Sequence, residues 1–290
     1  MGERTEADRW LQAYAGEHHF AATFEPDWEA MFGHQFSTNP DFLIESGGSQ
    51  AVVECRGFKS WAFSEFMRKS RPQGGTVPPG VTRRPIFAAL KEKAEQLEPF
   101  AVTGEPLVIA LANTGTSDVF LDDHHMRSAM FGDLAVSIPI DQPGPANADL
   151  PPARTIVHPG YGAFCATDSV QTPCNPQPHV SGVAVVKRHD LYREFQRADL
   201  RRFIDARKPR DHEERVDVGT AWLETAVARG RGDGPSGFAH SVTYYDLGGY
   251  ALGHGPPVPA EWFGGPRDRR FAFDSGGTNF ALVRGDADRD

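Results

Sequence analysis

The run Leu107-Val108-Ile109-Ala110-Leu111-Ala112, set behind Gly104 and Pro106, offers no polar residue to either face. A strand of that kind is covered on both sides, as in a parallel or mixed sheet with helices packed over its two faces. A second sign of the same architecture lies upstream. Asp41-Phe42-Leu43-Ile44-Glu45 and Ala51-Val52-Val53-Glu54-Cys55 are short apolar runs separated by Ser46-Gly47-Gly48-Ser49. Two such runs across a Gly-Gly turn read as a hairpin.

Helical periodicity fills the intervals. Thr5 and Asp8 make a capping-box-like start ahead of Trp10, Leu11 and Tyr14, with Gly16 as a stop. Behind Pro85, the residues Ile86, Phe87, Leu90, Ala94 and Leu97 form an apolar stripe at helical spacing. Asp118 to Met130 reads as a helix ended by Gly132, Leu134 to Ile140 alternates as a strand does, and Val180 to Val186 is a further apolar strand. Residues 190–229 are dense in charge, with Leu191, Phe195, Leu200, Phe203 and Ile204 as an intermittent apolar face, and are expected to form two helices on the sheet edge. Ser241 to Asp246 is strand-like, whereas 71–80, 143–152 and the C-terminal stretch around Gly264-Gly265-Pro266 and Gly276-Gly277 are expected to be irregular. The expectation is a single α/β domain over residues 1–290, with a core at about 1–140 and further strands and helices at about 150–290.

Several classes drop out. No apolar run approaches the ~20 residues that a membrane-spanning helix requires. Three cysteines with no paired CxxC, and no apolar segment at the N-terminus, suggest a reducing, cytoplasmic setting. A net charge of −9 argues against a surface broadly coated by nucleic acid. Charge is uneven, however: Arg56, Lys59, Arg68, Lys69, Arg71, Arg83, Arg84, Lys91 and Lys93 face only Glu65 and Glu92 across that stretch. His18-His19 and His124-His125 are adjacent pairs, which a helix points about 100° apart, and Cys165 and Cys174 with His158 and His179 do not match structural zinc spacings.

The hairpin itself carries chemistry. Asp41 opens one run and Glu54 nearly closes its partner, so pairing brings both carboxylates to one end of the sheet, where they suit a hard cation such as Mg²⁺. Arg56 follows Glu54 by two positions and shares its face of the strand.

Pro40-Asp41 followed by Glu54-Cys55-Arg56 resembles the core motif of the PD-(D/E)XK nuclease-like superfamily. The order helix, hairpin, strong helix, buried strand, helix resembles its core layout. Arg84-Pro85, Lys91, Lys93 and Gln96, then Ala129-Met130-Phe131-Gly132, look like bacterial members. The resemblance implies a restriction-endonuclease-like mixed sheet core with C-terminal helical and loop additions. It further implies Mg²⁺ or Mn²⁺ on Asp41 and Glu54 with Glu25 joining them, and phosphodiester hydrolysis in nucleic acid, DNA ahead of RNA.

One position departs from the pattern, since Arg56 stands where the family has lysine. Arginine stays charged and binds phosphate through a planar fork, whereas lysine is a compact point charge with an adjustable pKa. Either Lys91 or Lys93 supplies the missing ammonium, with Gln96 one turn further on, or the site binds without cutting.

Overall fold

A computed structural model of the chain describes residues 3–58, 83–115, 119–132, 134–137, 154–157, 162–167, 173–229, 235–250, 255–273 and 280–284. The expected loops at 71–80 and 143–152, the basic residues from Lys59 to Arg71, His158 and Gly276-Gly277 lie outside these. By its internal contacts the chain divides into two compact units, Met1–Lys187 with Ser241–Asp290, and Arg188–His240.

The first unit is built on a mixed sheet. In chain order the elements are α1 (Glu6–Glu17), β1 (Ala21–Phe24), α2 (Trp28–Phe32), β2 (Phe42–Ser46), β3 (Ser49–Phe58) and α3 (Arg83–Leu97). A 3₁₀ turn (Glu98–Thr103), β4 (Leu107–Asn113), α4 (Asp123–Phe131), β5 (Leu134–Ser137), β6 (Arg154–Val157), β7 (Ala166–Thr167) and β8 (Pro173–Cys174) follow. The chain then runs through β9 (Val180–Asp190), α5 (Leu191–Arg207), α6 (His212–Arg229), β10 (Phe238–Asp246), β11 (Arg269–Phe273) and β12 (Phe280–Arg284). Eight strands form one sheet in the order β1-β2-β3-β4-β9-β10-β11-β12. β1, β2 and β3 pair antiparallel, β3 with β4 and β4 with β9 pair parallel, and β11 pairs parallel with β10 and antiparallel with β12.

The hairpin turn is fixed by its glycines. Gly47 and Gly48 have φ of 61° and 81°, the left-handed pair that a two-residue turn needs in order to match strand twist. From it the register runs Ser46↔Ser49 to Phe42↔Val53. The parallel step from β3 to β4 then requires a crossover, and α3 lies within that connection.

Alternation along the strands divides the core in two. Val52, Ile109 and Leu111 pack with Ile86, Leu90 and Leu97 of α3 and with Met126 and Met130 of α4. Val53, Cys55, Val108 and Ala110 pack on the opposite face with Ala7, Leu11 and Tyr14 of α1, and with Trp262 and Phe263. β4 is therefore covered on both sides, as its composition requires. No helix among the described residues is long and apolar enough to cross a membrane.

The C-terminal stretch is more ordered than its glycines suggest. Arg269–Phe273 and Phe280–Arg284 extend the sheet by two strands, and Asp268 just before them anchors α1. Its carboxylate accepts from the Tyr14 hydroxyl at 2.7 Å, Gly265 N–H at 2.7 Å and Val242 N–H at 2.8 Å. Asp268→Ala strands those donors in the interior, each at about 1–3 kcal/mol. Urea denaturation is expected to show a loss of about 3 kcal/mol or more.

Candidate functional site

The register that pairs Phe42 with Val53 makes Asp41 and Glu54 the next residues out on the two strands. Their backbone and side chains interlock. Asp41 N–H donates to Glu54 Oε2 at 3.1 Å, and Cys55 N–H donates to Asp41 Oδ2 at 2.8 Å. Glu54 belongs to the strand face that looks at α3, Cys55 to the face that looks at α1, and Asp41 stands at the strand end where the two meet.

Each helix delivers one charged group. From α3, Lys93 Nζ donates to Glu54 Oε1 at 2.7 Å and to Gln96 Oε1 at 2.7 Å. Lys93 is 8% exposed and Glu54 5%, so this is a buried ion pair. From α1 comes Asp8, 3% exposed, whose carboxylate closes the capping box by accepting from Thr5 N–H at 2.6 Å. Donor atoms of Asp8, Asp41 and Cys55 lie within 4.8 Å of one another.

Electrostatics marks the group as short of positive charge. Burial pushes the Asp41 carboxyl above its ordinary range, and the Asp8 and Glu25 charges add to this, against the Cys55 N–H and the Lys93 ammonium. Burial, then the Asp41 charge, pushes Glu54 up to about 7 despite Lys93. Burial first, and then the surrounding carboxylates, raises the Cys55 thiol well above its usual range. Four acidic groups thus act on one another beside a single buried ammonium. A protonated thiol is a poor ligand for a hard cation, so the donors of the group that fit are the carboxylates of Asp8 and Asp41, with Glu54 joined to Asp41 from the other face of the sheet. An oxygen donor set of this kind suits Mg²⁺ or Mn²⁺ rather than a thiolate-seeking metal.

The other expected site residues fall in different places. Glu25, in a left-handed backbone conformation (φ 44°), donates its N–H to the Asp41 carbonyl at 2.8 Å and acts on the Asp41 carboxyl by its charge. It lies outside the three-donor group, in which the helical acid is Asp8. Arg56, 47% exposed in its side chain, faces Glu92 of α3 at 3.7 Å. Lys91 is exposed and faces Glu95 at 3.9 Å. Two positions along a helix is a rotation of about 200°, so when Lys93 points inward Lys91 points out. Gln96 joins the site through its amide oxygen, while its carbonyl accepts from Thr38 Oγ1 at 2.7 Å.

Among the described residues no histidine joins a three-donor group. His125 bonds Asp122, His179 Nε2 lies 2.8 Å from the Ala94 carbonyl, and the His18 ring meets that of Tyr14 at a tilt, centroids 4.3 Å apart.

The choice of Lys93 over Lys91 and the unforeseen Asp8 each had a signal. Ile86, Leu90, Lys93 and Leu97 run at i, i+4, i+7 and i+11, so Lys93 lies on the buried stripe and Lys91 does not. Asp8 likewise precedes Leu11 and Ala15 by three and seven, which puts a capping carboxylate on an apolar face.

The Glu54 environment has a measurable consequence. A carboxyl held near 7 in the fold and near 4.5 when unfolded binds its proton more tightly in the folded chain. Its stabilising contribution is complete below about 4.5 and is lost as pH rises through about 7. Relative to the wild type, Glu54→Gln is expected to gain on the order of 3 kcal/mol between pH 5 and pH 8, read from denaturation midpoints at the two pH values.

Comparison of the chain with protein-family models, with curated proteins and with solved structures returns no match.

Proposed function

We propose that this chain is a divalent-metal-dependent phosphodiesterase acting on nucleic acid, built on a restriction-endonuclease-like core. The observation that carries the reading is the convergence of Asp41 and Glu54 at the end of a hairpin, with Asp8 beside Asp41 and the Lys93 ammonium on Glu54. Mg²⁺ or Mn²⁺ would be held by these carboxylates and would supply Lewis-acid polarisation of a phosphoryl oxygen. Asp41 is held by Cys55 N–H, and Glu54 accepts from both Asp41 N–H and Lys93, so a cation on Glu54 would share that carboxylate with the ammonium. Lys93, fixed by Glu54 and Gln96, holds positive charge beside these carboxylates. Arg56 at the exposed rim offers a planar fork for phosphate oxygens.

A second reading, a nuclease-like scaffold that binds without cutting, draws on two features. The motif's third position is an exposed arginine, and Lys93 is occupied by Glu54 and Gln96. The test is direct. Purified chain is incubated with single- and double-stranded DNA and RNA, with Mg²⁺, with Mn²⁺ or with EDTA. Cleavage that chelation stops supports the enzyme. Calorimetric metal binding without cleavage of any substrate supports the scaffold, and neither cleavage nor metal binding removes both.

A further inference from the structure

The unit Arg188–His240 is short of core. Its helix α5 has no fully buried residue, and in α6 Trp222, 8% exposed, packs against α5 through an Nε1 hydrogen bond to Asp199 Oδ2 at 2.9 Å. Tyr192, Phe195, Leu200, Phe203 and Ile204 remain half-buried. On α6, about 100–120° around the helix from Trp222, Val216 and Leu223 are 53% and 57% exposed.

Charge sorts between the two helices. On α5, Arg193, Arg197 and Arg201 recur every four residues, all exposed, beside Leu200 and Ile204. On α6, Glu213, Asp217 and Glu224 flank Val216 and Leu223 and are exposed as well. Among the described residues none of the three arginines is engaged in an ion pair within the chain. Each helix thus presents a stripe of apolar residues bordered by one sign of charge, and the signs are opposite.

We propose that these stripes form a self-association surface, α6 of one copy of the chain lying along α5 of a second copy in a two-fold pair. Both stripes are on one chain, so a two-fold operation satisfies each twice and closes the assembly, as isologous interfaces do. Helices of this length run about 25 Å, long enough for Val216 and Leu223 to meet Leu200 and Ile204 while the acidic border meets the arginines. The contact covers the apolar side chains that the two-helix unit leaves half-open.

The experiment is sedimentation equilibrium of the full chain at micromolar concentration in low salt. A species of twice 31.8 kDa is expected, dissociating as salt rises from about 0.05 to 0.5 M. Arg193→Glu, Arg197→Glu and Arg201→Glu together are expected to weaken association by about a hundredfold or more. Adding Glu213→Lys, Asp217→Lys and Glu224→Lys to that variant restores the opposite signs and is expected to restore the dimer, which a misfolded variant would not do. A chain that stays at the mass of one copy up to about 100 µM overturns the proposal. So does association that charge reversal leaves unchanged. A DNA duplex bound by the arginines of a single-copy chain assigns the stripe to phosphate and overturns it as well.

Discussion

Asp41→Asn and Glu54→Gln, each made alone, are expected to reduce metal-dependent cleavage by far more than a hundredfold. The two side chains keep their shape and hydrogen-bonding reach under these substitutions, but each loses the charge that a hard cation requires. Outer-shell partners of metal ligands cost ~10–100-fold when removed, so ligands themselves should exceed that range. Calorimetry supplies a readout independent of substrate: the divalent-binding heat of the wild type is expected to vanish in both variants. Glu54→Gln also strands the Lys93 ammonium, so its folded state is checked by circular dichroism, and its stability is expected to lose the fall between pH 5 and pH 8 that a carboxyl held near 7 confers. Lost activity in a variant that keeps its folded spectrum cannot be explained by unfolding. Retained metal binding in Glu54→Gln would remove Glu54 from the ligand set.

Lys93→Met is expected to be among the most damaging single changes in the first unit. It keeps the volume of the side chain and removes the cation that Glu54 meets at 2.7 Å, with 10% and 6% of the two side chains exposed. Taking one partner from a buried ion pair costs about 3–5 kcal/mol, because the remaining charge is left in the interior. That cost should appear at pH 8, where Glu54 is ionised, and shrink toward pH 5, where Glu54 takes up a proton. The pH dependence of urea midpoints for wild type and Lys93→Met tests this, and a loss of equal size at both pH values would show that Lys93 acts by packing alone. Lys91→Met, on the exposed flank of the same helix, is the control and is expected to fall within about 0.5 kcal/mol of wild type.

The parts of the fold that are legible in the chain are those where local pattern and tertiary demand agree. Gly47-Gly48 between two apolar runs specifies both turn and register, and the register decides that Asp41 faces Glu54. The run from Leu107 to Ala112 lies in the middle of the sheet because no polar side chain prevents it from being covered twice. Residues 190–229 divide into two helices as their composition suggests. What escapes is set by distant partners. β1 has only four residues, and its strand state depends on pairing with β2. β11 and β12 sit among glycines and charges, yet pairing with β10 makes them strands. The helix read from Asp118 begins at Asp123, where the Asp122 carboxylate accepts from His125 N–H and so sets the start. In the site, the carboxylate pair is local and visible, whereas the choice of Lys93 over Lys91 and the arrival of Asp8 depend on which helix face is buried.

The order in which these groups can meet follows from their separations along the chain. Asp41 and Glu54 are thirteen residues apart and are joined by a two-residue turn, whereas Lys93 is thirty-nine residues beyond Glu54. Closing the shorter loop costs less entropy, so the hairpin assembles two repelling carboxylates before the helix that neutralises one of them has docked. The repulsion is therefore met first inside the hairpin, and Lys93 relieves it only once the crossover has closed.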